Sequence, residues 1–347
     1  MKKLWLVAAA LIAFLAVPPA KAALSAFLGF DILRQWIMLH RIDEADSGAQ
    51  KSEAASGGER DGKEAASEKR KSKRRDATAR FTTVLFTGDA ESAKLSAEIA
   101  FSNFTLEPAE GDTLIYVEVD YEANKFPTPV VNHRREDGQV MISLESAGPS
   151  EERHLNLSDL RESKWHVRLG RNVVWSLSLD LGYCENELEL GGLKVESLTI
   201  ESGLSETSLS FSEPNGIVLE RCDIETGLGS FEAVKLGNAT MRRFLLENGL
   251  GSSVLDFTGS WPQEDLKATI ESGMGSVKMR LPDGLPVIMQ VESAFGSADL
   301  PRFHEIDDGI YRSISYMEGA PSLQADVSVG MGSITVIWVT KERYWRP

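Results

Sequence analysis

The chain is poor in several things at once. Among its 347 residues only two are cysteine, Cys184 and Cys222. That excludes a disulfide-stapled scaffold and a cysteine-rich zinc module. Proline counts 13 against 29 glycines, which points to many tight turns rather than long helices. Basic charge is scarce too, with 37 Lys and Arg against 52 Asp and Glu, a net charge of −15. A general nucleic-acid binder needs a basic surface, so no nucleic-acid partner is expected. Apolar residues still reach 42% and aromatics 8%. Such a chain can build a real core, and wholesale disorder is excluded.

Long hydrophobic runs are also missing. The longest, Leu4 to Val17, has fourteen residues, whereas a bilayer-spanning helix needs about 20. Lys2 and Lys3 precede it, Pro18 and Pro19 end it, and Ala20-Lys21-Ala22 fits the small-x-small cleavage pattern. Residues 1–22 are therefore expected to be a signal peptide, cleaved before Ala23 or kept as a signal-anchor. The body is expected to be extracytoplasmic, in the periplasm or at the cell surface. Residues 23–42 read as an amphipathic helix. Within 24–40, Asp31, Arg34 and Gln35 share a narrow face, and Leu28, Ile32, Leu33, Trp36, Ile37 and Leu39 spread over the rest. Such a helix suits a membrane interface, or packing on the body of the protein.

Residues 43–80 read as a disordered charged linker. Ala, Ser, Gly, Glu, Lys and Arg dominate, and they bury too little surface to offset ordering entropy. The run Lys69-Arg70-Lys71-Ser72-Lys73-Arg74-Arg75 suits anionic lipid or surface polymer, or is simply solvated. Residues 1–80 hold fifteen basic and ten acidic side chains, or +5, so the rest of the chain carries −15 minus 5, or −20.

From Phe81 onward the apolar pattern has period two, as in Ala97 to Leu106 and Thr113 to Tyr121. That alternation predicts half-buried strands. Residues 81–172 are expected to form an N-terminal β cap region. Residues 173–347 carry an internal repeat and end in a C-terminal cap. The copies are Ile200-Glu201-Ser202-Gly203-Leu204, Ile224-Glu225-Thr226-Gly227-Leu228-Gly229, Leu246-Glu247-Asn248-Gly249-Leu250-Gly251 and Ile270-Glu271-Ser272-Gly273-Met274-Gly275. Val291-Glu292-Ser293-Ala294-Phe295-Gly296 and Val327-Ser328-Val329-Gly330-Met331-Gly332 follow, and Leu179-Asp180-Leu181-Gly182 is a weaker first copy. Steps between key positions 182, 203, 227, 249, 273 and 294 average about 22 residues, and the last step, to 330, must hold an insertion.

This period predicts an all-β, β-solenoid-like body whose stacked coils share one core. Positions five and three before each key residue are apolar, from Leu198 and Ile200 to Met289 and Val291, and should face inward. A second inward row is expected from Leu188 with Leu190, Leu209 with Phe211, Leu255 with Phe257, and Met279 with Leu281. Gly203, Gly227, Gly229, Gly249, Gly251, Gly273, Gly275, Gly296, Gly330 and Gly332 are expected at structural corners, where a Cβ does not fit.

The pattern resembles the bacterial toast-rack and "putative adhesin" repeat families, related to the C-terminal domain of LiaF-type cell-wall-active antibiotic response proteins. Trp175 to Gly182 resembles the opening of those repeats, Leu188 to Leu193 their LxLxGL step, and Gly330-Met331-Gly332-Ser333-Ile334 their close. The resemblance covers about residues 95–340. It implies an extracytoplasmic β-solenoid-like domain without catalysis, and through the LiaF-type members a role in envelope-stress regulation with a membrane sensor kinase.

No catalytic or cofactor-binding residue emerges. The Gly-x-Gly corners lack a following Gly-Lys-Ser/Thr and a helix, so they are architecture rather than a phosphate loop. His40, His133, His154, His166 and His304 show no metal or triad spacing. Glu201, Glu225, Glu247, Glu271 and Glu292 share one repeat position and should form an outward ladder of like charges. Arg221, Arg243 and Lys267, four residues earlier, should offset the repulsion in three rungs, and the ladder is also the candidate divalent-cation stripe. Cys184 and Cys222 are expected to be free, about 10 Å apart across two coils. Trp338, Tyr344 and Trp345 suit a C-terminal cap or a docking surface. The functions consistent with these features are a non-enzymatic envelope scaffold, adhesin or stress-response partner of a membrane protein; a polysaccharide-binding module; and a glycan-active β-helix enzyme.

Overall fold

The computed structural model describes residues 78–123, 126–146, 163–261 and 264–340. The expected signal, amphipathic helix and linker, with Tyr344, Trp345, His40 and His154, lie outside the described residues. Contacts divide the chain into Met1–Arg75 and Asp76–Pro347, and every described residue belongs to the second unit.

That unit is built of strands: β1 (Thr78–Phe86), β2 (Ser92–Phe101), β3 (Asn103–Ala109), β4 (Thr113–Glu122), β5 (Val130–Glu136), β6 (Gln139–Ser146), β7 (Lys164–Gly170) and β8 (Val174–Glu189). The series continues with β9 (Lys194–Ser210), β10 (Arg221–Val234), β11 (Arg243–Asp256), β12 (Leu266–Pro282), β13 (Val287–Asp299), β14 (Phe303–Asp307), β15 (Ile310–Ser313) and β16 (Leu323–Val339). β8 to β13 and β16 run parallel and in register, each one rung of the stack. The ladder skips one residue in each rung at the expected corner: Thr226 pairs with Asn248 and Leu228 with Leu250, leaving Gly227 and Gly249 out.

Both inward rows are in place. Leu198, Ile200, Cys222, Ile224, Phe244, Leu246, Ala268, Ile270 and Met289 are buried, and so are Leu188, Leu209, Phe211, Leu255, Phe257, Met279 and Leu281. Polar residues alternate with them outward, and so the period of two in the sequence becomes one continuous apolar core.

The corners need glycine for a definite reason. Gly251 and Gly275 hold φ values of 149 and 151, a region that side-chain-bearing L residues avoid. A Cβ on Gly251 would fall on the carbonyl oxygen of Gly229, and one on Gly275 on that of Gly251. Each rung thus forbids a side chain on the next. In β9 the same position is Ser205, which pairs with Gly229.

Return turns carry their own clasps. The Asn215 amide donates to the carbonyls of Val195 (2.8 Å) and Ile217 (2.7 Å) and accepts from the Val195 amide (2.9 Å). One coil on, Asn238 donates to the Phe211 carbonyl (2.9 Å) and accepts from the Ser260 amide (2.8 Å). These buried asparagines hold irregular backbone that no ladder satisfies.

Three sequence expectations change. First, the coils do not stack in chain order: β16 lies between β12 and β13. Its Val327, Val329, Ile334 and Val336 are all buried, as an interior rung requires, whereas Glu292 to Asp299 of β13 are exposed, as an edge rung allows. The insertion supplies the β14–β15 hairpin, which pairs with Ile288 to Gln290 of β13. Second, the N-terminal region is more than a cap. β2 and β3 run parallel to the two halves of β8, and β6 and β7 run parallel to β2 and β3, adding two rungs without a glycine corner. Antiparallel β5, β4 and β1 then close that end. Third, Cys184 and Cys222 are farther apart than two strands. Cys222 is level with Leu177 of β8, through Leu198, and Cys184 lies seven residues beyond Leu177. That adds about 20 Å along the strand, out of disulfide reach.

Candidate functional site

Two rows of side chains run across the rungs on the outer surface. The first is acidic. Glu145 of β6 pairs with Glu98 of β2, which pairs with Asp180 of β8. Glu201, Glu225, Glu247 and Glu271 follow on β9 to β12. Seven carboxylates therefore occupy seven consecutive rungs, about 4.8 Å apart along the stack. The expected ladder thus begins three rungs earlier than the repeat indicated, and its last member is displaced. Ser328 of β16 stands between Glu271 and Glu292.

Glu247 sits near the middle of this row and is partly desolvated. Burial, with the charges of Glu225, Glu271 and Asp223, holds its carboxyl above the usual carboxylate range. The expected offset by basic neighbours is incomplete. Arg221 turns to Asp223 on its own strand instead of reaching the ladder. The ladder carries no cation cluster geometry: no group of three or more metal-ligating side chains comes together among the described residues.

The second row lies three residues farther along each strand, just past the corner. It runs Phe101, Tyr183, Leu204, Leu228, Leu250, Met274, Met331, Phe295 over eight neighbouring rungs. At the corner each strand turns, and this side chain is left outside both sheets. Leu204 is 48% exposed and Phe295 70%. The row forms an apolar ridge about 34 Å long. On its far flank the rungs carry Glu185, Glu206, Ser230, Ser252, Ser276, Ser333 and Ser297. Where the ridge crosses β8 to β10, a groove of about 230 Å³ opens against it, lined by Asn103, Tyr183, Leu204, Leu228 and Glu206 among others.

The remaining candidates are scattered. His133, His166 and His304 lie on β5, β7 and β14. Cys222 is buried in the core, where desolvation and the Asp223 charge push its thiol well above the usual range. The Trp338 indole donates to the Pro301 carbonyl (2.7 Å) and packs on Phe303 at 5.7 Å, covering the end of β16. The ridge was readable in the sequence as the apolar residue inside each G-φ-G corner. The three added acidic rungs had a weaker signal: each acid directly follows an inward-facing residue (Leu179, Ala97, Leu144), but only Asp180 has a glycine, Gly182, to mark its corner.

Fold and surface together define a non-globular class: a parallel solenoid of bent strands with glycine corners and a regular outer face. Residues 61–232 match the family described as "N-terminal domain of toast_rack, DUF2154". That part of the chain, close to half of it, is a toast-rack N-terminal domain, and the later rungs repeat the same unit beyond the matched residues. No curated protein matches it. Among solved structures, a "putative cell adhesion protein" from Clostridium sporogenes aligns at 16% identity, covering 76% of this chain and 100% of that one, with a TM-score of 0.41. A "putative adhesin" from Bacteroides fragilis aligns at 11% identity over 75% and 97%, with a TM-score of 0.30. A "putative lipid binding protein" from Parabacteroides distasonis gives 13%, 76%, 98% and 0.27. Likenesses this distant carry no functional argument.

Proposed function

We propose that the protein is a non-enzymatic, extracytoplasmic envelope scaffold, tethered near a membrane by residues 1–40, that binds a macromolecular partner along its corner ridge. The ridge carries the reading. The coils bury apolar rows inside, yet six neighbouring rungs each also expose one large apolar residue at the same place: Leu204, Leu228, Leu250, Met274, Met331 and Phe295. A contiguous exposed apolar row of this length is the mark of an interaction surface. Leu and Met fill its middle, where a polysaccharide-binding face would present aromatic rings, so a protein partner is favoured over a glycan.

The test is site-specific photo-crosslinking in living cells. A photo-reactive residue at Leu228 or Met274 should give defined adducts in the envelope fraction. The same residue at Lys278, on the exposed face beyond the ridge, should not. Adducts spread evenly over all three positions, or confined to Lys278, would defeat the ridge as the working surface. Recovery of the protein in the cytosol would defeat its placement.

A further inference from the structure

The two ends of the ridge differ in charge, and that difference identifies the partner chemistry. Over β10, β11, β12, β16 and β13 the far flank is serine. Over β8 and β9 it is Glu185 and Glu206. On the near flank, the same rungs carry Asp180 and Glu201, with Glu98 and Glu225 on either side. Here alone among the glycine-corner rungs, carboxylates border the apolar strip on both sides.

Like charges stacked a strand apart repel. A cationic partner laid across them relieves that repulsion. The same stretch holds the groove beside Tyr183, Leu204 and Leu228, which gives apolar side chains somewhere to go.

We propose that the ridge segment Tyr183–Leu204–Leu228 receives a basic amphipathic helix of a partner protein, its apolar stripe in the groove and its Lys and Arg on the flanking carboxylates. This rests on the ridge being the working surface and names what docks there. The match is one of pattern: an apolar strip between acidic rows five residues apart on β8 and β9 fits a helix stripe bordered by basic residues. An anionic lipid surface is the wrong sign for this end of the ridge.

The experiment measures binding of fluorescent peptides to the full chain by anisotropy. The probe is an 18-residue Leu/Lys helix with one apolar stripe. Its controls are the same residues scrambled to remove the stripe, and a Leu/Glu version with the stripe kept. The Leu/Lys helix should bind at least about tenfold more tightly than either control. Leu204→Ser with Leu228→Ser should lose about tenfold, and both side chains are exposed, so the fold is kept. Glu201→Gln with Glu206→Gln should weaken binding similarly and flatten its salt dependence. Glu305→Gln with Asp308→Asn, acids on the insertion hairpin, should change nothing. Equal binding of the scrambled peptide, insensitivity to the ridge and flank variants, or no binding up to about 100 µM would each overturn the proposal. Crosslinks from Leu228 to a partner segment without basic residues would also overturn it, while leaving the ridge as the working surface. Loss of ridge crosslinks altogether would remove the broader reading instead.

Discussion

Replacing Gly251 with alanine tests the corner architecture directly. Two costs add. The residue holds φ 149, and placing an L side chain in such a region costs about 1–3 kcal/mol. The new methyl would also meet the Gly229 carbonyl oxygen, so β10 and β11 must separate locally. Overpacking of that kind costs about 1–3 kcal/mol. The sum, about 2–6 kcal/mol, is a large part of a typical total stability of about 5–15 kcal/mol. Urea unfolding of Gly251→Ala should show a clearly lowered midpoint. Hydrogen exchange should localise the loss to β10, β11 and β12, because each rung contacts only its neighbours. Ser252→Ala, one residue on and exposed, should stay within about 0.5 kcal/mol. Ser205→Gly should cost no more than about 1–2 kcal/mol, because β9 already holds a side chain there and loses only flexibility and a 3.2 Å contact with Thr207. A Gly251→Ala change within about 1 kcal/mol of the parent would refute the claim that neighbouring carbonyls exclude a side chain.

Three further outcomes are expected. Asn238→Ala orphans the Phe211 carbonyl and the Ser260 amide and should cost about 2–4 kcal/mol in chemical unfolding, with Asn238→Asp in between because it keeps the acceptor. Glu247→Gln should raise Tm at pH 7. The folded state lifts this carboxyl above its ordinary value of 4.5, so its charge opposes folding above the lifted value. That penalty fades as pH falls through it, and the gain over the parent should vanish by about pH 4. Cys222 should resist thiol reagents in the folded protein and react only on unfolding, at the rate of unfolding itself, since its thiol is buried and hard to ionise.

Much of the fold was legible because the repeat is local. Cys222, Ile224 and Ala233 of one coil play the roles of Phe244, Leu246 and Leu255 in the next, and period two sorts them to one face. Corner glycines were legible for the same reason, since Gly229, Gly251 and Gly275 each face the same carbonyl collision. What was not legible is the stacking order. β13 and β16 carry the same corner signature, and only the burial of Val329 and Ile334 against the exposure of Ser293 and Ala298 separates an interior rung from an edge. The rungs of β2–β3 and β6–β7 were missed because Ser102 and its surroundings bend the chain without a glycine, so no motif marks the turn.

The candidate site divides the same way. The glutamates of five coils were visible at one repeat position, though the stacking order separates Glu292 from the other four. That Glu98 and Glu145 extend them is a matter of register between strands far apart in the chain. The apolar residue between two glycines marked each corner, and the turn of the strand there carries it outward.

The sequence by itself determined the class of structure, the inward rows, the glycine corners and the acidic stripe, because each follows from a short pattern repeated about every 22 residues. Tertiary structure alone decided which rungs are neighbours, where the carboxylate row begins and breaks, and that the G-φ-G side chains join into one exposed ridge. Those depend on pairing between distant segments and on the turn of the backbone at the corner, and neither is written in any single repeat.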